Sequence, residues 1–123
     1  MREESRNPSR LEHIMTAIGH IEEFTHDMTY SQFIADKRTL FATTYNIQII
    51  GEAVYKLTKD YKKAHPGLPW PLMEKMRHVL VHDYYNIVPP AVWDVVTEDI
   101  PSIKPQIQHL IEECNEQSEE SMT

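Results

Sequence analysis

A chain of 123 residues with 41% hydrophobic residues is long enough for one ordinary core and too short for two. Three glycines, eight prolines and no run of alternating apolar and polar residues argue for helices over sheet. No stretch approaches the roughly 20 apolar residues of a membrane span, the polar start Met1-Arg2-Glu3-Glu4-Ser5-Arg6 is unlike a signal peptide, and the single cysteine, Cys114, excludes an internal disulfide and suits a reducing cytoplasm.

The formal net charge of −7 argues against a nucleic-acid partner until its distribution is considered. Residues 112–123 carry five acids and no base, whereas residues 37–82 carry eight bases and three acids. Screening confines charge effects to about 8–10 Å, so a local basic zone can hold phosphates on an acidic chain.

In chain order, residues 1–8 read as a disordered lead-in. Ser9-Arg10-Leu11-Glu12 has the form of a capping box. Leu11, Ile14, Met15, Ile18 and Ile21 follow at helical spacing and predict a first helix to about His26. Tyr30 to Ala35 forms a short turn of helix. Asp36 caps a second long helix reaching about Leu57, with the stripe Leu40, Ile47, Ile50, Val54 and Leu57. Ala42, Ile49 and Ala53 are apolar too, more than one face needs, which predicts burial against another element or subunit. Lys56, Lys59 and Lys63 form a basic edge where this helix ends, and Pro66-Gly67-Leu68-Pro69 breaks the chain. Trp70 to about Asp83 forms a third helix burying Leu72, Met73, Met76, Val79 and Leu80. After Val88-Pro89-Pro90, a last helix carries Val92, Val95, Val96, Ile100, Ile103, Ile107 and Leu110. The stripe continues through Pro101 and Pro105, so one kinked helix is expected. Residues 113–123 read as a frayed acidic tail. The fold class is all-α, an antiparallel bundle of four to five helices over residues 9–112.

The chemistry concentrates in Met76-Arg77-His78-Val79-Leu80-Val81-His82-Asp83-Tyr84-Tyr85. A guanidinium can hold a phosphate bidentately, and an imidazole can move a proton near neutral pH, so Arg77 and His82 could cleave a phosphodiester without metal or cofactor. On a straight helix the two lie about 140° apart and about 7.5 Å apart along the axis, while Arg77 and Tyr84 lie within about 20° of each other. Either the helix unwinds before His82, or two copies face each other and each lends part of the site; the dimer also uses the surplus apolar surface. Blander roles compete. Arg77 could pair with Glu74 one turn away, and His82 could serve only terminal carbonyls. His78 and His82, at i, i+4, could bind zinc but lack a third ligand at a recognisable spacing. Cys114 has no local partner and is not expected to act as a nucleophile.

The opening Leu11-Glu12-His13-Ile14, Ile50-Gly51-Glu52-Ala53, Pro69-Trp70, Thr97-Glu98-Asp99-Ile100-Pro101 and the signature Met76-Arg77 followed by His82-Asp83-Tyr84 occur in order. With them the chain resembles the HepT-like toxins of the HEPN superfamily over about Leu11 to Ile111. The resemblance implies an all-helical homodimer in the cytoplasm whose Arg77 and His82 meet in a cleft between protomers. It further implies a metal-independent, cofactor-free endoribonuclease that arrests growth. The implied partner is a minimal nucleotidyltransferase antitoxin, which neutralises the toxin by transferring AMP to the motif tyrosine, here Tyr84. One departure is His78, where the family commonly has asparagine; it puts a second imidazole near the site, and with Asp83 it is an auxiliary candidate. Lys56, Lys59 and Lys63 would follow the RNA backbone. The rival reading is a non-catalytic scaffold that binds nucleotide or RNA as a subunit of a nucleotidyltransferase complex.

Overall fold

A computed structural model describes residues 2–78 and 87–122, and every described element is helical. The elements are α1 (Arg2–Ser5), α2 (Asn7–Thr25), α3 (Tyr30–Ala35), α4 (Lys37–Lys56), α5 (Lys59–Ala64), α6 (Trp70–Lys75), α7 (Pro89–Asp94), a π-helical segment (Val95–Asp99) and α8 (Ile100–Met122). Helix α4 is the centre of the bundle. It packs against α2 along one side and against α6 on another, while α8 closes the bundle over α2.

Periodicity accounts for the core. Leu11, Ile14, Ile18 and Ile21 of α2, Ile47, Ile50 and Val54 of α4, and Ile100, Ile103 and Ile107 of α8 are buried together. At about 25 cal/mol per Å² of apolar surface removed from water, these side chains supply the dominant stabilising term. Asp36 caps α4 as expected, accepting from the Thr39 backbone N–H at 3.1 Å; that bond holds its carboxyl below the ordinary carboxylate value. Thr29 and Gln32 form a reciprocal capping box at α3.

Four expectations change. Helix α2 starts at Asn7 without a side-chain cap, so Ser9 and Glu12 lie within the helix and form no capping box. Pro8 suits the first turn, where a missing N–H costs nothing. Instead of a loose lead-in, Arg2–Ser5 is helical, and buried Asn7 donates to Thr58 Oγ1 at 3.1 Å. The acidic tail continues α8 to Met122, consistent with the good helix propensity of glutamate and glutamine. Near the site, α6 ends at Lys75, Met76 and Arg77 form a turn before His78 is helical again, and Leu72 is exposed while Met73 and Met76 are buried; the stretch on to Asp83 lies outside the described residues. Val79 and Leu80 lie outside the described residues.

The last helical path is continuous but not uniform. The Ile100 N–H reaches back five residues to the Val95 carbonyl, and the next residue is Pro101. A proline ring clashes with the carbonyl four residues earlier, and a π turn gives that carbonyl room. The single interrupted helix predicted from the stripe therefore has its irregularity just ahead of Pro101.

Candidate functional site

Arg77 is fixed by two contacts with α4. Its guanidinium carbon lies 3.9 Å from the centroid of the Tyr55 ring, a cation–π arrangement. Its backbone is pressed against Gly51: a Cβ added there would stand 2.0 Å from the Arg77 amide nitrogen and 2.7 Å from its Cα. No described glycine has a positive φ, so Gly51 is needed for close approach and not for an unusual backbone conformation. The tetrapeptide Ile50-Gly51-Glu52-Ala53 thus has a physical meaning. It is where α4 lets the chain after α6 come near enough to set the arginine on Tyr55.

The local backbone also differs from a straight helix. The Met76 N–H donates to the Met73 carbonyl at 3.1 Å and the Arg77 N–H to the Glu74 carbonyl at 3.3 Å, both spanning three residues, so the helix tightens and ends at this point. Glu74, considered as a local partner for Arg77, pairs with Lys62 at 2.6 Å. Arg77 and His78 are half-buried. His82, Asp83 and Tyr84 lie outside the described residues.

Beside Tyr55 a cavity of about 820 Å³ opens between the end of α4, α5 and the start of α6. Lys56, Lys59 and Lys63, the basic edge of the sequence, all line it, as does Lys62. Among its described lining residues Glu74 is the sole acid, and Lys62 engages it. A smaller cavity of about 430 Å³ lies on the other side of Lys56, between α2 and α4, with Arg6, Arg10 and His13 in its wall. The buried Arg10 guanidinium donates to the Lys56 carbonyl and so ties the start of α2 to this region. Sequence reasoning missed Arg6 because residues 1–8 read as disordered, and Arg10 because its partner Lys56 is 46 residues away.

Three aromatic side chains on α4, Phe41, Tyr45 and Tyr55, are more than half exposed. At 100° per residue they fall within about 40° either side of Phe41, so they form one outward stripe. The surplus apolar surface expected of this helix is therefore aromatic, and Ala53 belongs to the core. Cys114, expected to be without a partner, hydrogen-bonds to Tyr61. Burial raises both the Cys114 thiol and the Tyr61 phenol above their ordinary ranges, which keeps the sulfur protonated and poorly nucleophilic. Among the described residues, no group of three His, Cys, Asp or Glu is placed to hold a metal ion, and no helix is long and apolar enough to cross a membrane.

The family model described as "Ribonuclease HepT-like" matches residues 14–110. A Thermococcus cleftensis protein named "Probable ribonuclease HepT" is 42% identical over 100 residues, covering 81% of this chain and 91% of the relative. A candidate RNase of Methanocaldococcus jannaschii is 33% identical over 109 residues, covering 89% of this chain and 90% of the relative. A further candidate RNase, from Caldanaerobacter subterraneus, is 28% identical over 102 residues, covering 83% and 91%. No solved structure matches the chain. With most of its length inside the family model and a helical fold throughout the described residues, the chain belongs to the HepT-like ribonuclease family of all-α HEPN proteins.

Proposed function

We propose that this chain is the toxin of a toxin–antitoxin pair, a metal-independent endoribonuclease in which Arg77 and His82 cut RNA and a cognate nucleotidyltransferase silences the site. The observation that supports this reading is the placement of Arg77: held by Gly51 and seated on Tyr55, a ring that also lines a lysine-bearing cavity. A guanidinium so held can hydrogen-bond two non-bridging phosphate oxygens and stabilise the charge that grows on them.

His82 acts as general base or acid. As base it takes the proton of the ribose 2′-hydroxyl; the 2′-oxygen then bonds to phosphorus, and the bond from phosphorus to the 5′-oxygen breaks. The leaving oxygen must gain a proton, which a second imidazole can supply. Two copies joined through the Phe41–Tyr45–Tyr55 stripe bring two such sets of groups together, so the active unit is a homodimer. The stripe supports this assembly because exposed large aromatics on one helix face gain most from burial. His78 and Asp83 flank the pair as auxiliary groups.

Control falls to Tyr84. Its phenol oxygen attacks the α-phosphorus of ATP, pyrophosphate leaves, and the tyrosine carries an AMP group whose phosphate is negatively charged. Placed two residues after His82, that group competes with RNA for Arg77. The test uses purified protein and its His82→Ala variant on total RNA. The wild type should fragment RNA and the variant should not. Equal fragmentation by both, after contaminants are excluded, removes His82 from the mechanism; no fragmentation by either favours the scaffold reading.

A further inference from the structure

The cavity beside Tyr55 has the chemistry of a nucleotide and not merely a positive surface. Its wall divides into two parts. Lys56, Lys59 and Lys63 supply ammonium groups, and among the described ion pairs none of the three is neutralised. Lys62 is committed elsewhere: it holds Glu74 at 2.6 Å and donates to the Val54 carbonyl at 3.1 Å, which cancels the acid that would repel a phosphate. The remaining wall includes Pro66 and Pro71, both exposed, an apolar surface suited to the face of a base. At about 820 Å³ the cavity is within the roughly 300–1,000 Å³ range of small-ligand sites. Tyr55 joins it to the arginine: the same ring that carries the guanidinium lines this cavity.

We propose that this cavity is a subsite for one nucleotide of the RNA strand, immediately beside the phosphate that Arg77 holds. Lys59 and Lys63 take that nucleotide's phosphate, and its base lies over Pro66 and Pro71. The inference rests on the RNA-cleaving reading for its substrate but not for its measurement. A base can enter the cavity only when unpaired, so the subsite selects single-stranded RNA at this position. A strand that ends before reaching it is bound and cut poorly. This separates the lysines into a site with a position along the strand, in contrast to a diffuse attraction that every phosphate would feel equally.

The experiment measures anisotropy of labelled, uncleavable 2′-O-methyl oligoribonucleotides, extended one nucleotide at a time on either side. Wild-type protein should show one extension, on one side only, that tightens binding by about tenfold. The Lys59→Gln/Lys63→Gln double variant should lose that step, and its slope of log affinity against log salt should fall by about 0.7, the value for one phosphate contact on a single strand. Lys59→Arg/Lys63→Arg should restore both. If the double variant weakens every length by the same factor, or keeps the step, the subsite is refuted. If the wild type shows no affinity for any length, the subsite is refuted as well. A step that behaves as described, in a protein that leaves unmodified RNA intact, upholds the subsite and overturns the nuclease reading alone.

Discussion

Arg77→Ala will lower kcat/KM for RNA cleavage by about 100- to 1,000-fold, the loss that follows removal of one pre-positioned group stabilising charge in a transition state. Arg77→Lys will recover little of it. An ammonium keeps the charge but offers neither the planar fork that matches two phosphate oxygens nor the same stacking on Tyr55. The loss will not come from unfolding. The exposed face of the interaction with Tyr55 is worth about 0.5–1 kcal/mol, small against the roughly 5–15 kcal/mol that holds a domain together. Thermal melts of the variant and wild type should therefore nearly coincide while their rates diverge. An Arg77→Ala protein cutting within threefold of wild type would take the arginine out of the chemistry.

Gly51→Ala will destabilise the protein and reduce cleavage, whereas Gly19→Ala will do neither. The two substitutions share a favourable contribution: alanine in a helix interior is better than glycine by about 0.5–1 kcal/mol. At Gly19, in α2, nothing lies within 4 Å of the added Cβ, so that gain stands alone. At Gly51 the new carbon meets the Arg77 backbone nitrogen at 2.0 Å, and backbone cannot turn aside as a flexible side chain can. Overpacking costs about 1–3 kcal/mol and outweighs the propensity gain. The relaxation separates α4 from Arg77, and a displacement of about 1 Å in a catalytic group can cost about 100-fold in rate. Paired denaturation curves and cleavage rates decide it. A Gly51→Ala protein as stable and active as wild type would show that the contact between α4 and Arg77 is not required.

These two residues also mark what the sequence could and could not disclose. Arg77 stood out because a cation, two imidazoles and a phenol were clustered over a few residues. The helical stripes of α2, α4 and α8 were legible for a related reason: a 3.6-residue period forces Ile14, Ile47 or Ile103 onto an inward face whatever lies opposite. Gly51 was visible only as part of a family resemblance, since its role needs the crossing of α4 with the segment after α6. Asn7 was hidden in the same way, because its partner Thr58 is 51 residues away. Leu72 shares a helical face with Met76 by spacing, yet within α6 it is 45% exposed, because nothing in the sequence shows which part of that face a neighbouring helix covers. The aromatic stripe of α4 is not legible from periodicity, because Tyr45 and Tyr55 are amphipathic and suit either a buried or an exposed face. His82, Asp83 and Tyr84 fall outside the described residues, so the motif is read there from sequence alone.

The proposal that guanidinium and imidazole meet across two protomers has a direct test in mixed dimers. Arg77→Ala and His82→Ala proteins, each inactive alone, are unfolded together, refolded as a mixture and assayed on RNA, with mixed dimers counted by differently tagged chains. A cleft shared between copies predicts that activity returns in proportion to the mixed species, since each such dimer retains one intact arginine and one intact histidine. Mixed dimers that form and leave RNA uncut would contradict it.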